Sequence, residues 1–204
     1  MVDSDQEIEV KFYVSDLPAI EARLLKMGAR LLRPRCRELN LRFDTPSGDL
    51  KRAHRVLRLR RSDAVRLTYK GPTDTSQGVA ARQEIELAVD DFEAAQKFLE
   101  ALGYQVAVTY EKYRAAYELA DAEILLDELP FGNFIEIEAP TPQAIRAAAQ
   151  KLGLKWEARL TKSYLVLFER LRKELGFTFR DLTFANFAAL PDAASAWFLP
   201  VASE

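Results

Sequence analysis

The 204-residue sequence holds one cysteine, Cys36, and one histidine, His54. A lone cysteine forms no internal disulfide and builds no cysteine-based metal site, and it fits a reducing compartment. A lone histidine excludes a multi-histidine zinc centre. There is no glycine-rich phosphate loop ending in Lys-Ser/Thr, and no G-x-G-x-x-G. No apolar run approaches the roughly 20 residues of a membrane span. The opening MVDSDQEIE is too acidic and polar for a signal peptide. A dominant charge sign is missing too, since a net charge of −2 lacks the basic excess of a general nucleic-acid binder. Any chemistry must come from carboxylates, Lys and Arg, with a hard metal ion as helper. The expected setting is the cytoplasm, without membrane or nucleic acid as partner.

What is present reads as one globular domain: 49% hydrophobic and 29% charged, with no linker composition. Strand-like alternation runs through residues 6–14, 39–44, 56–61, 65–71 and 82–89, then weakly through two strands near 106–120, and again through 122–129 and 134–139. Helices fall between them. Ser15 and Asp90 are the expected N-caps of the first two, Thr141-Pro142 opens a third, and a fourth spans 162–175. Gly28, Gly103, Gly153 and Gly176 stop them. Trp156 and Trp197 lie outside the strand pattern and are expected to serve packing.

The strand parity carries the signal. Side chains alternate faces along a strand. In EIEVKF, Glu7, Glu9 and Lys11 therefore share one side and Ile8, Val10 and Phe12 the other. Arg58 and Arg60 share a face. So do Arg66, Thr68 and Lys70; Arg82, Glu84 and Glu86; Lys112 and Arg114; and Glu136 and Glu138. A wet sheet face explains any one of these strands. Repeated acids of one sign on some strands and repeated bases on others ask for more. A divalent cation would join the acids and a polyanion would join the bases. Carboxylate oxygens suit Mg2+ or Mn2+, and Arg and Lys suit phosphate oxygens.

The ordered set EIEVK, LRLR, LTYKGP, RQEIE, EKYR and LDELPFGNFIEIE closely resembles the CYTH superfamily, or triphosphate tunnel metalloenzymes. The match spans roughly residues 6 to 165. It implies an α+β fold: an eight-stranded antiparallel β-barrel forming an open tunnel, with helices packed outside. The tunnel would hold a triphosphate-containing small molecule, with Mg2+ or Mn2+. By this resemblance Glu7, Glu9, Asp127, Glu136 and Glu138 are metal-binding acids. Lys11, Arg58, Arg60, Lys70, Lys112 and Arg114 grip phosphates, Arg82 lines the same lumen, and Lys162 sits over the mouth. Glu84 and Glu86 are candidates to activate a water, with Lys11 also assigned to the catalytic set. One departure stands out: Arg42, in LRFDTP, replaces the family's usual aromatic. Residues 1–175 are expected to form the tunnel domain and 176–204 an extension packing on it.

The expected activity is metal-dependent hydrolysis of inorganic triphosphate or short polyphosphate. The alternatives are a class IV adenylyl cyclase, a thiamine triphosphatase, or a non-catalytic polyphosphate or nucleotide binder. A monomer and a homodimer are both compatible with the sequence.

Overall fold

The structure is a computed structural model that describes residues 6–188, 190 and 199–203; Trp197 lies outside them. In chain order the elements are β1 (Gln6–Val14), α1 (Leu17–Lys26), β2 (Arg30–Asp44), α2 (Asp49–Arg52), β3 (Val56–Arg61), β4 (Val65–Lys70), β5 (Ala80–Val89), α3 (Phe92–Ala101), β6 (Gln105–Leu119), β7 (Ala122–Leu129), β8 (Gly132–Glu138), α4 (Pro142–Lys151), β9 (Arg159–Leu160), α5 (Tyr164–Leu175) and α6 (Phe184–Phe187). The strands pair in the order β5-β4-β3-β2-β6-β7-β8-β1, and β1 then pairs with β5. Eight antiparallel strands thus form a closed ring, as expected. Strand β1 makes the closure because its edge is shared: Gln6–Glu9 pair with β5, while Lys11 and Phe12 pair with the short β9. Ring closure removes the two free edges an open sheet would have, although β3 pairs only with Leu39–Phe43 of β2.

The apolar faces of most strands point outward against helices, while Ile85 and Leu87 of β5 stay exposed. Val10, Phe12, Ile124, Ile135 and Ile137 pack with Ile20 and Leu24 of α1 and Ile145 of α4. Trp156 joins this cluster as a packing residue. Leu41, Phe43 and Leu59 pack with Phe92 and Leu99 of α3. Burying each such side chain contributes roughly 1.5–3 kcal/mol. A third cluster stops one end of the ring. Beyond Lys112, Asp127 and Glu136, the next residues of like parity are Tyr110, Leu129 and Phe134. They pack with Tyr164, Leu167 and Phe168 of α5 and with Leu182, Phe187 and Leu199.

The C-terminal residues attach by backbone bonds as well. The Leu182 N–H donates to the Thr109 carbonyl (3.0 Å), and the Leu182 carbonyl accepts from the Glu111 N–H (2.9 Å). Ala202 N–H donates to the Tyr13 carbonyl (2.9 Å). Among the described residues, no helix is long and apolar enough to cross a membrane.

Several boundaries differ from the sequence pattern. The N-caps of α1 and α3 are Asp16 and Asp91, each accepting an N–H at 2.9 Å. Two capping residues stand in tandem at both places, and the pattern alone does not rank them. Helix α5 starts at Tyr164, capped by Ser163, so Lys162 precedes it. Strand β6 is one continuous element rather than two. Strand β2 begins far earlier than residue 39, and its register shifts twice around Pro34, which has no N–H to give the ladder. Gly132 has φ of 148°, and a Cβ there would lie 2.7 Å from the Tyr13 ring, so the first position of β8 admits no side chain.

Candidate active site in the lumen

The ionised faces point into the ring. A cavity of about 1070 Å³ is lined by Glu7, Glu9, Lys11, Arg58, Arg60, Lys70, Arg82, Glu84, Glu86, Lys112, Arg114, Glu136 and Glu138. These are all of the predicted site residues except Asp127 and Lys162. Lys162 is exposed on the approach to α5 and does not line the cavity. Asp127 is fully buried in the wall. It accepts from Arg114 (2.6 Å), Lys112 (3.1 Å) and the Tyr164 hydroxyl (2.8 Å). It therefore anchors two cations instead of joining the other acids.

Those other acids come together because β1 and β8 are neighbours. Glu9 lies opposite Glu138 and Lys11 opposite Glu136. Glu7, Glu9, Glu136 and Glu138 each offer an oxygen, all within 4.8 Å of one another. Basic side chains interleave with them. Lys11 pairs with Glu9 and, at 3.2 Å, with Glu136. Arg82 pairs with Glu7 (2.8 Å) and Glu9 (3.3 Å). Lys70 bridges Glu7 (2.7 Å) and Glu84 (2.8 Å). Arg114 reaches Glu136 at 3.2 Å.

The opposite wall is looser. In the ring order, β2 and β3 lie across the lumen from β8 and β1. Arg58 stays 3.9 Å from Glu84 and 3.7 Å from Glu86, and Arg60 is 3.4 Å from Glu86. Glu38, missed by the sequence pattern, sits between Arg60 (3.5 Å) and Lys112 (3.6 Å).

A model of the CYTH domain matches residues 5–164. The chain belongs to the CYTH domain family. A protein of Methanocaldococcus jannaschii, provisionally named an adenylate cyclase, is 28% identical over 134 residues, 65% of this chain and 75% of that one. Among solved structures, a provisionally named adenylate cyclase from Vibrio parahaemolyticus is 23% identical with a TM-score of 0.72, covering 80% of this chain and 97% of its own. A Hippeastrum protein, provisionally named an adenylyl cyclase and described as having a dominant triphosphatase activity, is 21% identical with a TM-score of 0.63. That match covers 80% of this chain and 95% of the Hippeastrum chain. Both structures share the fold.

CYTH tunnel enzymes use divalent metals, and the acids of this CYTH lumen fit one. Burial and the neighbouring carboxylates Glu136, Glu7 and Glu9 hold the Glu138 carboxyl well above its usual range. Burial and Glu136 likewise raise Glu9, against the pull of Lys11. Burial opposes ionisation of Glu136 too, but Lys11, Arg114 and Lys112 outweigh it and keep that carboxyl well below the usual range. Crowding and burial thus hold two of the four carboxyls toward their neutral form, a cost that a divalent cation among them would offset, and all four offer hard oxygens. Glu7, Glu9, Glu136 and Glu138 are the residues that would hold a divalent ion.

Two further lumen residues escaped the sequence reading. Tyr164 lies on a helix, where strand parity says nothing, yet its ring sits 5.3 Å from the Lys11 ammonium and 5.5 Å from that of Lys112. Glu38 shares parity with Asn40 and Arg42, and only the late start assigned to β2 hid it.

Proposed function

We propose that this CYTH protein is a divalent-metal-dependent triphosphatase that hydrolyses inorganic triphosphate or short polyphosphate. One observation carries the reading: an acid group on β1 and β8 faces a loosely paired arginine wall on β2 and β3 across one ionic lumen. A phosphate chain fits that lumen through its oxygens alone. The activity described for the Hippeastrum protein of the same fold supports hydrolysis.

Glu7, Glu9, Glu136 and Glu138 would hold a divalent cation, which would supply Lewis-acid polarisation of a phosphoryl oxygen. The chain's own residues do the rest. Arg58, Arg60, Lys70, Arg82, Lys112 and Arg114 hold the non-bridging oxygens and place the chain in line. Lys11 moves from Glu9 and Glu136 toward the entering phosphate. A water oxygen attacks the terminal phosphorus, and the bond to the bridging oxygen breaks. Pyrophosphate leaves, and the water proton passes to Glu84 or Glu86. Asp127 holds Lys112 and Arg114 in place. The residues after 175 are read as an extension of the same domain, supported by the packing of Leu182 and Leu199. The protein is read as cytoplasmic.

The second reading is an adenylyl cyclase, favoured by the name of the Methanocaldococcus relative. Purified protein with Mg2+ or Mn2+ is incubated with tripolyphosphate, ATP or thiamine triphosphate, and phosphate, pyrophosphate and cyclic AMP are assayed. Orthophosphate from tripolyphosphate supports the triphosphatase. Cyclic AMP from ATP, without tripolyphosphate hydrolysis, supports the cyclase. Binding without product leaves a non-catalytic module.

A further inference from the structure

Hydrolysis of a terminal phosphoryl group involves two protons. One leaves the attacking water, and one joins the bridging oxygen that departs. In the proposed hydrolysis Glu84 and Glu86 of β5 take the first. In-line displacement puts the attacking and leaving oxygens on opposite sides of phosphorus, so the second proton must come from across the ring. In the strand order β6 is the fourth strand from β5 in either direction, and it therefore faces β5.

The residues of β6 that line the cavity are Tyr110, Lys112 and Arg114. Both cations are already engaged by Asp127, and a guanidinium does not release its proton. Tyr110 differs. Two other hydroxyls buried among the inward ions are spent: Thr68 donates to Glu86 (3.0 Å) and Tyr164 to Asp127 (2.8 Å). The Tyr110 hydroxyl accepts from Arg58 Nη1 at 3.5 Å, and among the described residues its own proton meets no acceptor.

Arg58 joins the two sides. Its Nη1 reaches Tyr110, while its Nη2 stands 3.9 Å from Glu84 and 3.7 Å from Glu86. A phosphoryl group resting its oxygens on this fork has the two glutamates toward one side and the Tyr110 hydroxyl toward the other. The charged groups facing that hydroxyl are Arg58 of β3, Lys112 of β6 and Arg42 of β2. Burial alone would raise the phenol, but these cations outweigh it and lower it below its ordinary value. Asn40, opposite on β2, carries no charge. Helix α5 and the residues after it add apolar side chains and the Tyr164 phenol to the cluster that fixes the ring. Asp181, beside Leu182, is spent on the Thr109 N–H and on Arg180.

We propose that Tyr110 is the general acid of the reaction, giving its phenolic proton to the bridging oxygen as pyrophosphate departs. The water oxygen bonds to the terminal phosphorus, and its proton passes to Glu84 or Glu86. The bond from phosphorus to the bridging oxygen breaks with its electron pair on that oxygen, which takes the Tyr110 proton. Arg58 and Lys112 stabilise the phenolate, and the phenolate and the protonated glutamate reset by exchange with bulk water. This role rests on the triphosphatase reading and on β5 as the side of the attacking water.

The test compares leaving groups. Two triphosphate analogues carry a methylene or a difluoromethylene bridge in place of one bridging oxygen. Each then has a single cleavable linkage, which expels a bisphosphonate, and the difluoro form is the less basic and needs a proton less. With Mg2+ or Mn2+, Tyr110→Phe lowers kcat on the methylene analogue by about 100-fold or more and on the difluoro analogue by about 10-fold or less, with KM changed little on either. In the wild type, kcat on the methylene analogue falls as pH rises through a phenol value below the ordinary one of about 10, and this alkaline limb is lost in Tyr110→Phe. Should circular dichroism show that Tyr110→Phe does not fold, the wild type carries the test: its limb is strong with the methylene analogue and weak with the difluoro one. Equal losses on both analogues, no loss on either, a limb that persists in Tyr110→Phe, or a wild-type limb of equal depth on both analogues overturns the proposal and leaves the triphosphatase reading intact. A wild type that cleaves neither analogue nor tripolyphosphate ends that reading, and this role with it.

Discussion

Lys11 and Glu136 stand opposite each other on β1 and β8, both buried, with ammonium and carboxylate 3.2 Å apart. The same lysine also holds Glu9, while Lys70 and Arg82 hold Glu7. The acids suited to a cation are thus partly neutralised by the bases suited to phosphate. Filling either half of the site would free the other half.

Metal and oligophosphate binding should therefore be coupled. Titrating Mn2+ with and without saturating tripolyphosphate should show tighter binding in its presence, by about 10-fold, and tripolyphosphate should gain equally from Mn2+. Independent binding constants would show that the internal pairs do not open on binding.

Glu9 sits inside the acid group and pairs with Lys11 and Arg82. Glu9→Gln should lower turnover on the order of 100-fold or more and shift the metal dependence to higher concentration. Circular dichroism should be unchanged. Full activity in a folded Glu9→Gln protein removes Glu9 from the site.

Glu38 links stability to pH. Burial alone would raise its carboxyl, but Lys112, Arg114 and Arg60 outweigh that and hold it at about 2. An acid depressed in the folded state stabilises above its unfolded value and loses that contribution as pH falls through the folded value. The window runs from about 4.5 down to about 2. Urea unfolding should show the wild type ahead of Glu38→Gln by on the order of 3 kcal/mol above that window, with the gap closing below it. A pH-independent gap would contradict the assignment.

Leu182 is wholly buried among Tyr110, Phe134 and Phe168 and pairs with β6 through its backbone. Leu182→Ala should cost about 2–5 kcal/mol, read as a lower urea midpoint. A negligible shift would show that residues beyond α5 add nothing to the fold.

Much of the site was legible because a strand fixes the face of each side chain locally. Glu7, Glu9 and Lys11, Arg58 and Arg60, and Glu136 and Glu138 turn inward as their parity requires. What parity does not carry is partnership across the ring. Asp127 has the parity and the burial, but Arg114, Lys112 and Tyr164 engage it before the other acids do. The switch of β1 from β8 to β5 is a long-range pairing that no local pattern encodes. Pro34 masked the first half of β2 and with it Glu38. Lys162 and Tyr164 show the limit at helix starts, where a shift of two residues decides which side chain reaches the lumen.

The central claim is that an inward acid group and an inward basic wall act together on one phosphate chain. It is tested most directly by following tripolyphosphate with phosphorus NMR in the presence of Mg2+ or Mn2+, for the wild type, Glu9→Gln and Arg58→Ala. The account predicts equal amounts of orthophosphate and pyrophosphate at early times from the wild type, and strongly reduced release from both variants. Cleavage at the wild-type rate in both folded variants would contradict it.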